Sequence, residues 1–475
     1  MSRVLVVSQD YVRRAMAGPA IRSFELAHQL HLCGNEVTLA TPVSTDIGRQ
    51  PFPVVTYDDV EPNALGHIAL GQDVVIGMGW VFARSPVLRE SGASLVSDLY
   101  DPFHLENLAA MTLDQTPGKF ADWEFVLGVL IEQIRVGDFF LCASERQRDL
   151  WIGAMSIANR INPTTYEQDP SLRRLIDVVP FGLPDAPPTR TGSPAMRGVV
   201  PGIGHDDFVL FWGGGIYNWF DPLTLISAVA RVARRRPEVR LFFLSTGHPN
   251  PHIPEMDMVR RARELAAALD MTDRHVFFNA SWVPYERRAD WLLESDVGVT
   301  THVDHAETRY SFRTRVLDYF WAGLPIICTA GDSLADLVDR EDLGFAVPEQ
   351  DPAALADAID QLAGDPEGRL RRAERVREVA RGMSWSRAIE PLARFCAKPA
   401  RAADLAGLAP GRLTPVPFRN PADGSPSFLG AGSNSSDSDR RPSLTRRAAG
   451  IFAAEGPSGL AQAARRRLRR ARPGK

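Results

Sequence analysis

The stretch ETRYSFRTRVLDYFWAGLPIICTAGD, residues 307–332, decides the fold, because it runs from charged residues at the start of a predicted helix into a buried strand. An apolar strand, DVGVT (296–300), precedes it, and a turn containing Gly323 and Pro325 separates the helix from the second strand. In open α/β sheets, the free N–H groups and the dipole at such a helix N-terminus hold anionic ligands. The sequence therefore predicts an α/β fold with a site for a phosphate-bearing ligand at this helix.

Helical periodicity assigns the side chains of this helix to two faces. The apolar face carries Val316, Leu317, Phe320 and Trp321, and the polar face carries Ser311, Thr314, Arg315 and Asp318. Arg315 is then placed to reach a phosphate, and Asp318 to accept hydrogen bonds from the hydroxyls of a ribose. The alternative is an ordinary surface pair between Arg315 and Asp318, which is worth about 0.2–0.5 kcal/mol.

This stretch resembles the carboxy-terminal signature of family 4 glycosyltransferases, in which an acidic residue precedes a small-residue turn and a buried strand, as Asp318 precedes FWAGLPII. The family pairs two glutamates, and the resemblance implies that Asp318, at the second position, grips the ribose of a nucleotide sugar. Tyr310 stands at the first position, so Glu307, one turn upstream, is the predicted substitute for contacting the sugar. The implied donor-binding residues of this stretch are Tyr310, Ser311, Phe312, Arg313, Thr314, Arg315 and Asp318.

A second motif, FWGGGIYNWFDP (211–222), places three glycines directly after a predicted strand. Glycine lets a ligand approach the backbone closely, so Gly213 and Gly214 are predicted to contact the donor. Family 4 transferases usually carry an arginine and a lysine in this turn, and neither is present here. We therefore expect Arg313 and Arg315 to supply the positive charge. The alternatives are that the site has lost its donor, or that the glycines only serve a turn with positive φ.

The first half of the chain contains the predicted acceptor side. The loop SQDYVRRAMAGPAIRSFE (8–25) resembles the family's glycine-bearing loop after the first strand, and Gly18 is the residue carried over as a donor contact. The motif SDLYDPFHLEN follows a predicted strand, and its Asp98 and His104 are candidates to orient an acceptor hydroxyl or to act as a base. Asp101, before a proline, is predicted to cap the next helix.

The loop THVDHAETR resembles a metal site in composition only. Its ligand-type residues are His302, Asp304, His305 and Glu307. Their irregular spacing in a loop, with no second cluster, predicts a sugar-facing loop and no bound metal. The predicted catalytic set is Asp98, His104 and Glu307. No cofactor is expected, because the nucleotide sugar is a substrate.

Strands alternate with helices twice along the chain, which predicts two Rossmann-like domains. This arrangement resembles the GT-B fold of sugar-nucleotide transferases, in which two such domains face each other across a cleft. The predicted division is a first, acceptor-side domain (1–185), a second, nucleotide-sugar-binding domain (203–385), a helix crossing back to the first domain (386–398), a disordered linker (399–445) and a basic tail (446–475).

Composition limits the classes of function. The chain has 475 residues, and its 44% hydrophobic content is ordinary for a globular protein. No apolar run approaches the length of a membrane span, and the chain opens with the strand RVLVVS in place of a signal peptide, so we expect a cytoplasmic protein. Four scattered cysteines without CxxC spacing argue against zinc or disulfides.

Charge is distributed unevenly along the chain. The net charge is −4, yet the last residues, RRRLRRARPGK, are strongly basic, so the rest of the chain is more acidic than the total. An acidic body argues against general nucleic-acid binding. A basic tail after a flexible linker predicts contact with an anionic membrane surface, at the inner face of the membrane. A solvated tail, or one bound to the acidic body, is the alternative.

These observations together predict a glycosyltransferase. It would move a sugar from a nucleotide sugar to a hydroxyl of a saccharide or lipid-linked acceptor, in cell-surface polysaccharide or glycolipid synthesis. Retention of anomeric configuration is implied by the family resemblance alone. The alternatives are a non-catalytic partner protein that keeps the fold, and a sugar-nucleotide epimerase of the same architecture.

Overall fold

The computed structural model describes residues 1–112, 119–250 and 255–406. Most of the predicted linker (399–445) and the whole of the predicted basic tail (446–475) therefore lie outside the described residues. Within the described residues, no helix is both long enough and apolar enough to cross a membrane.

The first domain is built around a parallel sheet of seven strands in the order β3-β2-β1-β4-β5-β6-β7. Its elements are β1 (Arg3–Val7), α1 (Gly18–Leu32), β2 (Glu36–Thr41), β3 (Val54–Thr56), α2 (Gly66–Ala69), β4 (Val74–Met78), α3 (Val81–Arg84), β5 (Ser94–Asp98), α4 (Phe103–Thr112), α5 (Lys119–Val136), β6 (Phe139–Cys142), α6 (Glu145–Ile157), α7 (Pro163–Gln168) and β7 (Ile176–Val178).

The second domain repeats this design with six parallel strands in the order β10-β9-β8-β11-β12-β13. Its elements are β8 (Phe208–Trp212), α8 (Pro222–Val232), β9 (Val239–Phe243), α9 (Asp257–Ala268), β10 (Val276–Phe278), α10 (Arg288–Leu292), β11 (Val297–Thr300), α11 (Ala306–Tyr310), α12 (Thr314–Ala322), β12 (Ile326–Thr329), α13 (Ser333–Arg340), β13 (Gly344–Val347), α14 (Pro352–Gly364) and α15 (Pro366–Ala380). Two short helices follow, α16 (Trp385–Ala388) and α17 (Glu390–Ala397).

Both sheets are doubly wound, because each starts in the middle and its strand order reverses at that point. Successive residues of β1 explain why: Val4 and Val6 face one apolar core, with α1, whereas Leu5 and Val7 face another, with α2 and α3. A strand that is buried on both faces needs a continuous apolar run, and the sequence supplies one. The prediction of two Rossmann-like α/β domains is confirmed.

The chain returns to the first domain after α15. The ring of Phe395 in α17 stacks on Phe139 of β6 at 4.8 Å, and the hydroxyl of Ser2 donates a hydrogen bond to the carbonyl of Cys396 at 2.6 Å. These contacts place α17 at the first sheet, so it crosses back between the domains.

Residues 399–406, expected to belong to a disordered linker, pack against the first domain instead. The carboxylate of Asp404 pairs with Arg160 at 2.5 Å, and both side chains are buried. The N–H of Ala402 donates to Asp138, and the side chains of Ala402 and Leu405 join an apolar core. Composition alone missed this segment, because its few anchoring residues are separated by small and polar ones.

Candidate functional site

The loops at the carboxyl ends of the two sheets face each other and are in contact. Trp282, after β10, donates its indole N–H to the carbonyl of Met16, in the loop after β1, at 3.1 Å. Arg146, after β6, donates to the carbonyl of Gly331, after β12, at 3.1 Å. Ligands of open α/β sheets bind at these carboxyl ends, so the interface between the domains is the candidate site.

The turn of three glycines lies at the end of β8, within this interface. Gly214 has φ of 75°, a conformation that side chains rarely adopt, and a Cβ atom there would meet nothing within 4 Å. Its glycine is therefore required by backbone geometry and leaves open space beside it. Gly213 is held differently, because its N–H donates to the hydroxyl of Tyr319 at 2.8 Å.

Arg315 reaches this glycine turn from the first turn of α12. Its Nη2 donates to the carbonyl of Gly215 at 2.9 Å, and its guanidinium lies over the rings of Phe220 and Trp212, at 3.9 and 4.7 Å. Burial lowers the pKa of Arg315 to about 10, which still leaves the side chain charged at neutral pH. Among the described residues no carboxylate pairs with Arg315, and its Nη1 has no hydrogen-bond partner.

Such a guanidinium is unusual, since buried charges are normally paired. Arg315 thus lies at the glycine turn whose missing positive charge it was predicted to supply, and that role stays a prediction. Its buried environment differs from the polar, outward-facing one that helical periodicity suggested. The surface pair with Asp318, which was the alternative interpretation, is not formed: the partner of Asp318 is Arg288.

Arg313 was expected to supply a second positive charge, and the structure contradicts this. Its Nη1 and Nη2 bind the two carboxylate oxygens of Glu307, at 2.9 and 2.7 Å, and both side chains are almost fully buried. The carboxylate of Asp332 lies 3.8 Å from its Nε. Two acidic neighbours already neutralise Arg313, so its charge is unavailable to a diphosphate.

The same ion pair bears on the role predicted for Glu307. Both of its oxygens are engaged by Arg313, and the side chain is 1% exposed. This ion pair competes with any contact between Glu307 and a sugar hydroxyl, and the catalytic role of Glu307 stays a prediction. Glu307 fixes the segment between α11 and α12, where the helix predicted as continuous is interrupted at residues 311–313.

Asp98 is removed from the catalytic set. Its carboxylate pairs with Arg22 through both oxygens, one at 2.9 Å from Nη2, and both side chains are completely buried. Arg22 also donates to the carbonyl of Val179 at 2.9 Å and lies over Tyr100 and Phe181. Asp98 therefore joins α1 to the ends of β5 and β7 and does not face the interface.

Asp101 lies just before helix α4, and Glu106 lies in the first turn of that helix. Helix α4 packs against α11 of the second domain. Burial, together with the charges of Glu307 and Asp98, raises the pKa of Asp101 to about 7. Burial, with the charges of Asp101 and Glu307, also raises the pKa of Glu106 well above its usual range. Asp101 lies two residues before the first residue of α4, and its role as a helix cap stays a prediction.

His104 is the remaining predicted catalytic residue. Its ring lies 5.5 Å from the ring of Trp151, and burial lowers the pKa of His104 to about 4. The imidazole is therefore neutral at physiological pH. Its Nδ1 is buried without a hydrogen-bond partner among the described residues, and its catalytic role stays a prediction.

Asp318 has one oxygen occupied by Arg288, whose Nε lies 3.0 Å from Oδ1. Arg288 is sandwiched between the rings of Tyr285 and Trp321, at 3.7 and 4.4 Å. The hydroxyl of Tyr285 donates to Glu25 of the first domain at 3.0 Å. The side chain of Asp318 is still 35% exposed, so its role in binding a ribose stays a prediction.

The other predicted donor-binding residues occupy varied places. Gly18 begins α1, where a Cβ atom would meet only the hydroxyl of Tyr100 at 3.9 Å, so no steric reason requires a glycine. Tyr310 accepts a hydrogen bond at its carbonyl from Gln147 of the first domain, at 2.8 Å. Ser311 turns its hydroxyl back to the carbonyl of Thr308, and Phe312 packs against the core. Thr314 is the first residue of α12.

The ligand-type residues of the loop after β11 serve the fold. His305 caps α11 by accepting the N–H of Thr308 at 3.3 Å, and His302 is fully buried, 3.4 Å from Asp332. Among residues 1–112, 119–250 and 255–406, no group of three or more His, Cys, Asp or Glu side chains is placed to hold a metal ion.

An aromatic cluster beside the glycine turn was missed from the sequence. The rings of Tyr217 and Trp219 stack at 4.9 Å, and His248 lies 5.8 Å from Trp282. A Cβ atom on Gly215 would touch both Tyr217 and Trp282. The motif GGGIYNW carried the signal for Tyr217 and Trp219, but Trp282 comes from a separate loop that no local pattern connects to it.

Three comparisons with known proteins bear on this site. Residues 207–365 match the family model described as glycosyl transferases group 1. A D-inositol 3-phosphate glycosyltransferase of Saccharomonospora viridis is 29% identical over 247 residues, which are 50% of this chain and 54% of that protein. The chain thus spans about half the length of the curated relatives it matches. These findings confirm the family resemblance for the second domain.

Solved structures match a larger part of this chain than the curated relatives do, and they show its fold. The Anabaena protein HepE, in complex with UDP-glucose, superposes with a TM-score of 0.60 at 14% identity, covering 84% of this chain and 100% of that one. WaaG, a glycosyltransferase involved in lipopolysaccharide biosynthesis, gives a TM-score of 0.58 at 17% identity, covering 83% and 100%. At these identities the likeness establishes the two-domain GT-B architecture alone.

Proposed function

Because residues 207–365 belong to the glycosyl transferases group 1 family, within a chain of GT-B fold, we propose that this protein transfers a sugar from a nucleotide sugar to a hydroxyl acceptor. The observation that carries the proposal is the unpaired guanidinium of Arg315 at the glycine turn. A buried cation without a carboxylate partner, beside backbone that leaves open space, is the feature that a diphosphate would complete.

In the proposed reaction, the bond between the anomeric carbon and the diphosphate oxygen breaks, and its electron pair leaves with the nucleoside diphosphate. Arg315 and the N–H groups at the start of α12 stabilise the negative charge that develops there. The acceptor oxygen forms the new bond and loses its proton. The proposal includes no metal ion, because Arg315 supplies the positive charge, and it includes retention, which rests on the family resemblance.

On the acceptor side, we place Asp101 in the role first considered for Asp98. Its pKa of about 7 suits a group that must take up a proton at neutral pH. Asp98, by comparison, is closed off by Arg22. His104, neutral at this pH, stays a candidate for orienting the acceptor hydroxyl.

The biological setting is part of the proposal. Synthesis of cell-surface polysaccharide or glycolipid fits a saccharide or lipid-linked acceptor. Of the similar proteins, WaaG is a glycosyltransferase involved in lipopolysaccharide biosynthesis, whereas the curated relative is named a D-inositol 3-phosphate glycosyltransferase. Contact of the basic tail with an anionic membrane surface would bring the protein to a lipid-linked acceptor at the inner face of the membrane.

The state of the predicted sugar-contacting and ribose-contacting residues favours a second candidate, a non-catalytic partner that keeps the fold. The first acidic position of the family's pair is Tyr310, Glu307 is locked to Arg313, and Asp318 is held by Arg288. Each of these reduces the groups available to a donor sugar. The unpaired Arg315 is the reason to prefer the enzyme.

Incubation of the purified protein with UDP-, GDP- and dTDP-linked sugars separates these functions. We expect slow hydrolysis of one donor to nucleoside diphosphate and free sugar, accelerated when an acceptor is added. Interconversion of the sugar without hydrolysis would indicate an epimerase. Absence of both binding and turnover across the panel would favour the non-catalytic partner.

A further inference from the structure

Gln147 joins the two domains at the candidate site through a single side-chain amide. It lies in the first turn of α6 and is completely buried. Its Nε2 donates to the carbonyl of Tyr100 at 2.7 Å and to the carbonyl of Tyr310, in the second domain, at 2.8 Å. Its Oε1 accepts the N–H of Ala143 at 2.7 Å. Both amide protons and the amide oxygen are therefore engaged.

The three partners of this amide belong to three different segments, two loops and the end of a helix. Tyr100 immediately precedes Asp101, in the loop after β5, and Ala143 lies in the loop after β6. Tyr310 ends α11, and its carbonyl is one of those that a helix end leaves without an intrahelical partner. The residues that follow it lead directly to Arg315 in α12.

From this geometry we propose that Gln147 is a positioning residue, which fixes the acceptor-side loop carrying Asp101 relative to the donor-side segment carrying Arg315. The inference rests on the proposed glycosyl transfer. Transfer requires the acceptor oxygen and the anomeric carbon to be held at reacting distance, and an error of about 1 Å can cost roughly 100-fold in rate. Gln147 touches neither reactant and acts only through these two segments.

The neighbouring residue provides a matched control. Arg146 also crosses between the domains, to the carbonyl of Gly331 and to Asp336, but its side chain is partly exposed and does not contact the segments of Tyr100 or Tyr310. If kcat and exchange depended only on the strength of the interface, Arg146→Met and Gln147→Met would change both alike. A positioning role of Gln147 predicts that only Gln147→Met changes them.

Two measurements test the proposal on the full chain. Hydrogen–deuterium exchange of residues 307–315 should be faster in Gln147→Met than in the wild type and in Arg146→Met. With the donor that the nucleotide-sugar panel identifies, kcat of Gln147→Met should fall about 10-fold or more, while the Kd of the corresponding nucleoside diphosphate changes less than about 2-fold. Arg146→Met should keep both values within about 2-fold of the wild type.

Gln147→Glu adds a readout that a purely structural role would not produce. An ionised carboxylate has no proton for the two carbonyls, whereas a protonated one has a single O–H to donate. The ratio of its kcat to that of the wild type should therefore rise as pH is lowered. The positioning role is overturned by a flat ratio, by wild-type kcat in folded Gln147→Met, or by equal exchange in all three proteins. If the wild type turns over no donor, the proposed function fails, and the exchange comparison alone decides on Gln147.

Discussion

Arg315 is the residue on which the function depends most. Arg315→Gln keeps a side chain of similar polarity but removes the charge, so we expect UDP to bind about 1.5–3 kcal/mol more weakly, the range for a charged hydrogen bond. Uridine, which has no phosphate, should lose far less affinity. Isothermal titration with both ligands measures the difference. Arg309→Gln, an exposed change in the preceding helix, is the control, and equal losses for UDP and uridine in Arg315→Gln would contradict a phosphate contact.

Asp318→Ala should weaken the binding of UDP and of uridine alike, unlike Arg315→Gln, because both ligands contain ribose. If the free oxygen of Asp318 binds the ribose hydroxyls, Asp318→Ala should weaken UDP and uridine equally, by about 1.5–3 kcal/mol. The change also leaves Arg288 without its carboxylate, so Arg288→Met serves as the comparison. Unchanged affinity of folded Asp318→Ala for both ligands would remove the ribose role.

The raised pKa of Asp101 predicts that the stability of the protein depends on pH. Its pKa of about 7 in the folded protein exceeds the unfolded value of 3.8, so the folded state holds a proton that the unfolded state has lost between these pH values. The protonated carboxyl therefore contributes stability below about pH 4, and this stability is lost as pH rises through 7. Asp101→Asn should raise Tm by about 2–4 °C at pH 8 and leave it unchanged near pH 4. A Tm difference that is constant with pH would contradict the raised pKa.

At the scale of elements, Tyr319 connects the glycine turn to α12. Its hydroxyl accepts the N–H of Gly213 and donates to the carbonyl of Val299 at 2.9 Å, and the side chain is fully buried. Tyr319→Phe would leave two buried backbone groups without partners, so we expect the free energy of unfolding to fall by about 1–3 kcal/mol. Urea denaturation measures this loss.

The same substitution should also weaken UDP binding, because the turn that faces the ligand would no longer be fixed. Tyr57→Phe, which removes a buried hydroxyl that donates to the carbonyl of Ser8 in the first domain, is the matched control. Equal UDP affinity in both variants would show that Tyr319 supports the fold without shaping the turn.

β3 and β13 are short strands at sheet edges that no motif of the sequence analysis covers. β3 has three residues and β13 has four, and each pairs with a neighbour on one side. An edge strand needs no long apolar run, because one side of it has no further strand to pair with, so its periodic signal is weak. The interior strands, buried on both faces, carried enough apolar residues to be recognised.

At the scale of the whole molecule, the basic tail predicts binding to anionic membranes. The full chain should sediment with anionic vesicles at low salt and release them at high salt, because each basic residue near the surface adds about 1 kcal/mol of screened attraction. A truncation after Ala406 is the comparison, since residues 399–406 pack on the first domain and should be kept. If both proteins stay in solution with the vesicles at low salt, the surface-contact prediction is wrong.

The sequence by itself determined the two doubly wound domains and the place of the glycine turn and of α12. Apolar runs, glycines and helix starts are local patterns, because the interactions that they reflect act between residues only a few positions apart. The sequence could not determine which charged side chains remain without an ion-pair partner. Arg22 and Asp98 stand far apart in the chain, as do Arg288 and Asp318, and only the tertiary packing within each domain brings each pair together.

The tertiary structure therefore decided the chemistry of the site. It closed Asp98, Glu307 and Arg313 into buried ion pairs, and among the residues that the structure describes it gave Arg315 no carboxylate partner at the glycine turn. The physical reason is that the availability of a charged group depends on its partners and on its burial, both of which are set by contacts between residues distant in sequence.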